Sequence, residues 1–189
     1  MSLQQKYKDS VIKELTAKFG YTNVMAVPKI LKLTINVGVG RNTKDKKYIE
    51  DVVKTITRIS GQKPIVTRAK KSISAFKVKE GDPVGVAVTL RGPRMWDFLD
   101  KLINVTFPRV RDFHGVNRTV VDRDGNLSVG FKEQISFPEV RFDQVENMHG
   151  LEVTIATTAT NKEEGMELFK QLGFPFKKEE EEQAGKTSN

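Results

Sequence analysis

Apolar side chains recur every four residues at the start of the chain, at Leu3, Tyr7, Val11, Leu15 and Phe19. That stripe predicts an N-terminal helix, which Gly20 ends. Strict alternation follows. Leu31, Leu33, Ile35 and Val37 point one way and Lys32, Thr34 and Asn36 the other, as in a strand with one buried and one polar face. Gly38-Val39-Gly40 turns the chain, and Ile49, Val52, Val53, Ile56 and Ile59 then return to helical spacing over residues 45–60. Gly61 closes this second helix, and residues 64–68 predict a short strand. Val84, Val86, Val88 and Leu90 alternate with smaller or polar residues and give another strand. After Gly92-Pro93, the residues Met95, Phe98, Leu99, Leu102, Ile103 and Thr106 form a third helical stripe, flanked by Trp96. Leu151, Val153, Ile155 and Thr157 mark a last strand. Asn161 with Glu164 resembles a capping box that starts a last helix, ended by Gly173 and Pro175.

Two stretches break these rhythms. Residues 69–83 are rich in Lys, Ser and Gly with weak periodicity, as expected of a loop. In residues 107–149, Asp122-Arg123-Asp124-Gly125-Asn126 lies between two β-branched or alternating stretches and reads as a hairpin turn, and the rest is irregular and polar. Without the first helix and this insertion, the order is strand, helix, strand, strand, helix, strand. The expected fold is α+β: a split β-α-β (ferredoxin- or RRM-like) antiparallel sheet with helices packed on one face. One domain is expected over residues 1–178, with residues 179–189, including Glu179–Glu182, as a disordered acidic tail. Helices on one face leave the polar sides of the strands bare, so Lys32, Thr34, Asn36, Thr89 and Arg91 form a candidate binding platform. The plain alternative is a solvated face, or one covered by the insertion.

Charge sharpens that picture. Residues 29–79 hold fourteen Lys and Arg against three acids, a net of +11, whereas the whole chain carries +8. A one-sided field of this kind suits a polyphosphate partner. Cysteine is absent, which removes disulfides, thiolate nucleophiles and Cys-based zinc sites. No signal-like segment or membrane-length apolar run is present, so a soluble cytosolic protein is expected.

The densest candidate site is Gln62-Lys63-Pro64-Ile65-Val66-Thr67-Arg68-Ala69-Lys70-Lys71-Ser72, with four cations and no carboxylate. Its Lys and Arg would neutralise phosphates, and its Gln, Thr and Ser would bond sugars or base edges. Phe76 lies among Lys77 and Lys79 just beyond. A solvated charge run is the competing reading. The strand positions are Asn, Thr and Lys rather than the stacking aromatics that seize single-stranded bases. A folded, double-helical or loop-closed RNA is therefore preferred, and no DNA-reading helix-turn-helix is evident.

Other motifs are weaker. Gly38-Val39-Gly40 lacks a third glycine at Thr43, which favours a tight strand exit over a dinucleotide loop. Asp122, Asp124, Asn126 and Glu133 echo a calcium-loop register, but Leu127 stands where glycine is required. His114 and His149 form neither a metal pair nor a triad and suit ordinary surface or polar-contact roles. Trp96, Phe98 and Phe107 suit the core. No cofactor and no catalytic or metal-binding residue is expected. A nucleotide-dependent enzyme would need a phosphate loop or paired acid and base. A protein adaptor could use the sheet but would leave the basic stretch without a purpose.

Several blocks carry a resemblance. Asn36-Val37-Gly38-Val39-Gly40, Gly61-Gln62-Lys63-Pro64, Thr67-Arg68-Ala69-Lys70-Lys71-Ser72, Val88-Thr89-Leu90-Arg91-Gly92, Pro108-Arg109-Val110-Arg111-Asp112-Phe113, Phe131-Lys132-Glu133-Gln134 and Phe174-Pro175-Phe176 resemble the bacterial family of large-ribosomal-subunit protein five. The match runs in order from about residue 3 to 178. The resemblance implies a non-enzymatic protein of the cytoplasmic ribosome that binds 5S rRNA and fixes it in the central protuberance. It also implies contacts with 23S rRNA, P-site tRNA, other central-protuberance proteins and, across an inter-subunit bridge, small-subunit head protein thirteen. No membrane or small-molecule substrate is implied.

For 5S rRNA, the resemblance implies Asn36, Gln62 and Thr89, with Lys63, Thr67, Arg68 and Arg91 as phosphate partners beside Lys32 and Thr34. The tRNA-facing loop corresponds to about 70–81, with Lys70, Lys71, Ser72, Phe76, Lys77 and Lys79. The bridge falls in the insertion, at Arg109, Arg111 and Asp112. Ser74-Ala75-Phe76 stands where relatives often have Ala-Gly-Phe, which keeps Phe76 in a slightly stiffer loop.

Overall fold

The computed structural model describes residues 2–40, 44–141 and 147–177. The N-terminal helix α1 runs Leu3–Lys6, passes through a π turn at Tyr7–Val11 and continues over Ile12–Phe19. Ser2 and Gln5 cap it reciprocally, and Gly20 ends it in the left-handed region. Next come strand β1 (Ile30–Gly38), helix α2 (Lys46–Ser60), strand β2 (Ile65–Arg68) and strand β3 (Pro83–Leu90). Helix α3 spans Gly92–Lys101, loosens into a π turn at Leu102–Thr106 and closes at Phe107–Arg109. Strands β4 (Leu127–Phe131) and β5 (Leu151–Thr157) and helix α4 (Lys162–Leu172) complete the order.

The strands form one antiparallel sheet in the order β2-β3-β1-β5-β4. This is the expected split β-α-β arrangement, with β3 between β2 and β1. The insertion departs from expectation. Its first residues, Phe107–Arg109, still belong to α3, and it supplies β4, a fifth strand beside β5. The Asp122–Asn126 turn is present, with Asp122 N–H donating to the Asn126 carbonyl at 2.9 Å, but its upstream arm is only a bridge from Val121 to Leu127. The hairpin turn implied a strand on either side, and the downstream one is β4, whose alternation at Leu127, Val129 and Phe131 is buried.

A second correction concerns β1. Leu31 is exposed at 45%, while Ile30 and Leu33 are both buried, so the alternation holds only from Leu33 onward. The loop 69–83 is also more regular than its composition suggested, as described below. The acidic tail lies outside the described residues.

By compactness the chain divides into two units. The first comprises Met1–Leu33, Arg91–Val129 and Thr154–Asn189; the second comprises Thr34–Leu90 and Gly130–Val153. In the first, Leu15, Leu99, Leu102, Phe107, Phe169 and Leu172 are at most 1% exposed. Tyr7 on α1 lies 5.4 Å from the Trp96 ring of α3, and its hydroxyl donates to the Pro28 carbonyl at 2.9 Å. Lys18 Nζ meets the mostly buried Glu167 carboxylate of α4 at 2.7 Å.

The turn before β4 explains an odd residue in α4. A Cβ on Gly125 (φ 74°) would stand 2.6 Å from Ala159 Cβ, and one on Gly165 would fall on the backbone of Gly125. Two glycines thus meet back to back, helix against turn. Alanine at an interior helical glycine ordinarily gains up to about 1 kcal/mol. Gly165→Ala is instead expected to destabilise by about 1–3 kcal/mol through overpacking. A thermal melt checks this, and a raised midpoint would count against the close approach.

In the second unit, α2 packs on β3 and buries Val52, Ile56 and Ile59 against the Val86–Val88 side of the strand. On the opposite side, Asn36, Ile65, Thr67 and Thr89 are exposed.

Candidate nucleic-acid interface

The register of β2 on β3 sets the chemistry of the open side. Ile65 stands opposite Ala87, and Thr67 opposite Gly85. Period-two alternation then places Ile65, Thr67, Gly85, Ala87 and Thr89 on one face, and Val66, Val86 and Val88 on the other. Asn36 of β1 joins the first set: a Cβ added to Gly85 would lie 2.7 Å from Thr67 Oγ1 and 3.6 Å from Asn36 Oδ1. The result is a shallow floor of Gly85 and Ala87 between Asn36, Thr67 and Thr89, with Thr34 half-buried alongside.

Gln62 is held in place from two directions. Gly61 caps α2 in the left-handed region (φ 66°), and the Ser60 hydroxyl, which donates its proton to the Ile56 carbonyl at 2.7 Å, accepts the Gln62 N–H at 3.2 Å. The Gln62 side chain then donates Nε2–H to the Thr89 carbonyl at 3.2 Å. With the amide nitrogen turned inward, Oε1 is the end presented to a partner. A glutamine fixed in this way offers its acceptor with little rotamer freedom left to lose.

The predicted site residues thus divide. Thr34, Asn36, Gln62, Lys63, Thr67, Arg68 and Thr89 all belong to the second unit, whereas Lys32 and Arg91, both exposed, belong to the first. Lys63 is exposed beside the buried Pro64. Arg68 is exposed too, but its Nη1 donates to the Gly81 carbonyl at 2.9 Å. Part of its guanidinium therefore fastens the base of the following loop, and the rest is left for an anion.

That loop is a closed hairpin. Ala69 N–H donates to the Asp82 carbonyl at 2.8 Å and Gly81 N–H to the Ala69 carbonyl at 3.0 Å. Farther out, Ile73 and Val78 exchange both backbone bonds, at 2.9 and 3.2 Å, around a single 3₁₀ turn at Ser74–Phe76. Lys77 takes a left-handed conformation (φ 52°) to complete the tip. The Ser72 hydroxyl accepts the Glu80 N–H at 2.9 Å, and the Asp82 carboxylate accepts the Lys79 N–H at 2.8 Å. Lys71 and Lys77 are exposed, Lys70 and Lys79 flank them, and Phe76 is 74% exposed at the tip. An aromatic ring held in water by a well-bonded hairpin is costly to leave without a partner.

The remaining candidates resolve simply. Arg109, Arg111 and Asp112 are exposed at the end of α3 in the first unit, and Asp112 has φ 52°. Arg111 Nε lies 3.8 Å from Asp112 Oδ2 in full solvent, a pair of little energetic weight. The calcium-like register is used otherwise: Asp122 accepts from Asn126 N–H at 2.7 Å and Nδ2 at 3.0 Å, and Asn126 Oδ1 accepts the Thr157 N–H at 2.9 Å. Trp96, Phe98 and Phe107 are core residues. His114 is exposed, but His149 is only 7% exposed, which removes it from the surface.

Gly85 and Ser60 lie outside the candidates read from the sequence, and Ile65 lies within the Gln62–Ser72 run without a role of its own. Gly85 carried a signal, since a glycine inside a strand often marks a close approach of another group. Ile65, 68% exposed on the polar face, did not.

Comparison with known proteins agrees with this architecture. Residues 23–79 match the family described as ribosomal protein L5, and residues 83–176 match the C-terminal region of that ribosomal family. The large ribosomal subunit protein uL5 of Marinomonas sp. is 52% identical over 176 residues, which cover 93% of this chain and 98% of that protein. Its counterpart from Colwellia psychrerythraea is 51% identical, over 93% of this chain and 97% of that protein.

Proposed function

This chain belongs to the ribosomal protein L5 family, whose members are structural rather than catalytic constituents of the large ribosomal subunit, and we propose that its open sheet face binds 5S rRNA. The observation that carries the reading is the convergence of Asn36, Thr67, Thr89 and the immobilised Gln62 around a floor without side-chain bulk at Gly85. Because Gly85 has no side chain, Thr67 Oγ1 and Asn36 Oδ1 close over it, and with Gln62 and Thr89 they present amide and hydroxyl groups to 2′-hydroxyls and base edges. The face has no stacking aromatic among its described residues, which favours helical or loop-closed RNA over an extended strand.

The work is divided by chemistry. Asn36, Gln62 and Thr89, with Thr34 and Thr67, fix register and orientation. Lys63 and Arg68 neutralise phosphates, and Lys32 and Arg91 extend the cationic reach. By this division the 5S rRNA is attached to the central protuberance, with 23S rRNA and neighbouring proteins as further contacts. The hairpin tip, with Phe76 among Lys70, Lys71, Lys77 and Lys79 and with Ser72 bracing its stem, reaches to the P-site tRNA. Exposed Arg109, Arg111 and Asp112 meet small-subunit head protein thirteen across the bridge.

Salt separates the two kinds of contact. Lys63→Ala is expected to reduce the slope of log affinity against log salt by about one counterion. Gel-shift titration of 5S rRNA at several salt concentrations measures this. An unchanged slope for Lys63→Ala would remove that residue from the phosphate contacts.

A further inference from the structure

Three hydroxyls in this chain stand three residues after a lysine or arginine: Thr16 after Lys13, Thr57 after Lys54 and Ser74 after Lys71. Their surroundings differ. Thr16 in α1 and Thr57 in α2 donate to the Ile12 and Val53 carbonyls, each at 2.7 Å. Ser74 is exposed at the hairpin tip, and its hydroxyl meets no partner among the described residues. The chain leading to it can also be drawn out. Between the bonded pairs Ala69–Gly81 and Ile73–Val78, no backbone bond among the described residues ties Lys70, Lys71 or Ser72 to the opposite arm. An enzyme that takes its substrate as an extended strand would displace only the Ile73–Val78 pair, the tip and the Ser72 brace.

A receiver for an added anion lies beside the hydroxyl. Within the second unit, Ser74 lines a hollow of about 680 Å³ with Lys44, Lys77, Lys79 and Ser72. Lys44 stands just before α2, so cations from two segments of the chain converge there. Asp82 is the one acid among the described lining residues, and its carboxylate already accepts the Lys79 N–H at 2.8 Å.

From an exposed, unpartnered hydroxyl that follows a lysine pair and borders a lysine-lined hollow, we propose that Ser74 is phosphorylated by a basophilic serine kinase. Carboxylates in the groove of such an enzyme take Lys70 and Lys71, four and three residues ahead of the hydroxyl. Ser74 Oγ attacks the γ-phosphorus of ATP. The Oγ–P bond forms as the bond to the β–γ bridging oxygen breaks, ADP departs, and the hydroxyl proton passes to the kinase's carboxylate base. Residues 70–79 hold four lysines and no acid, and the phosphate adds a charge of about −2 at pH 7. Lys44, Lys77 and Lys79 then pair with it, and the tip loses about half of its positive charge. The site stands on this geometry; its use as a charge switch on bound RNA rests on the RNA-binding reading above.

The test incubates the full chain with magnesium ATP and the catalytic subunit of cyclic-AMP-dependent protein kinase, a basophilic probe, and maps phosphate by mass spectrometry. One phosphate is expected, on Ser74, with Thr16 and Thr57 unmodified. Ser74→Ala should abolish incorporation, and Lys71→Ala should slow it about tenfold, the loss of one charge-assisted contact. Phosphorus NMR then reads the receiver. The Ser74 phosphate should titrate below the ordinary serine-phosphate midpoint of about pH 6, because neighbouring ammonium groups favour its dianion. Lys44→Ala/Lys79→Ala should return the midpoint towards that value. No incorporation, phosphate on Ser72 in preference, or a midpoint indifferent to both lysines would each overturn the proposal. Failure here with 5S rRNA binding intact sinks the modification site alone, whereas loss of 5S binding by the unmodified wild type sinks the RNA reading.

Discussion

The variant Asn36→Ala/Gln62→Ala/Thr89→Ala is expected to bind 5S rRNA about 100-fold more weakly than the wild type, with no change in salt slope. Each side chain contributes a hydrogen bond of roughly 1 kcal/mol net, and a tenfold change in affinity corresponds to about 1.4 kcal/mol. The three line one small face, and the Gln62 side chain is anchored on the Thr89 main-chain carbonyl, which Thr89→Ala leaves in place. Removing the Gln62 side chain both deletes an acceptor and frees the chain end after α2, so single variants should not sum to the triple. None of the three carries charge, which is why the number of counterions released should stay the same. Gel shifts at several salt concentrations measure both quantities. A steeply altered slope would mean that the polar face does not orient the RNA as described.

The largest expected effect on stability comes from Phe107→Ala. This ring is 1% exposed, stacks on Phe113 at 5.3 Å and meets Phe174 edge-on at 6.0 Å; Phe174 in turn meets Phe169 at 5.1 Å. Truncation breaks a chain of four aromatic rings and leaves a cavity that helices cannot readily fill. The cost should be about 3–5 kcal/mol, a lowering of the melting midpoint by roughly 10 °C in a chain of this length. Phe76→Ala is the matched control. That ring is 74% exposed, and its loss should change stability by less than about 0.5 kcal/mol. If both variants melted alike, the aromatic cluster would not hold the first unit together.

Much of the architecture was legible because each long element repeats its period several times. The stripe of α2 and the alternation of β3 leave one choice of structure each, and Gly20, Gly61 and Gly173 stop their helices as such residues should. Short elements carry less. Strand β4 has five residues and only a bridge for its hairpin partner, so the turn pointed to it but its place beside β5 was not readable. The hairpin at 69–83 is built from backbone bonds and two side-chain braces, none of which leaves a periodic trace. Leu31 broke the alternation of β1 because local packing buries Ile30 in its place.

Chemistry nominates the candidate site in the sequence, but its geometry is not legible there. A carboxylate-free run of Gln, Lys, Thr and Arg suits a phosphate partner by composition. The sequence does not show that Ser60 clamps the Gln62 backbone, nor that part of Arg68 is diverted to Gly81. Nor does it show that His149 is buried, with Nε2 unpartnered among the described residues. These features depend on which backbone groups meet across tens of residues, which no local pattern encodes.

The most direct check is selection from a mixture. The purified chain, nuclease-treated and immobilised, is offered total cellular RNA, and the retained species are sized and sequenced. The account predicts that 5S rRNA is enriched far above its share and that the triple face variant retains little of it. Retention of all RNAs in proportion to abundance, or equal 5S recovery by the variant, would contradict it.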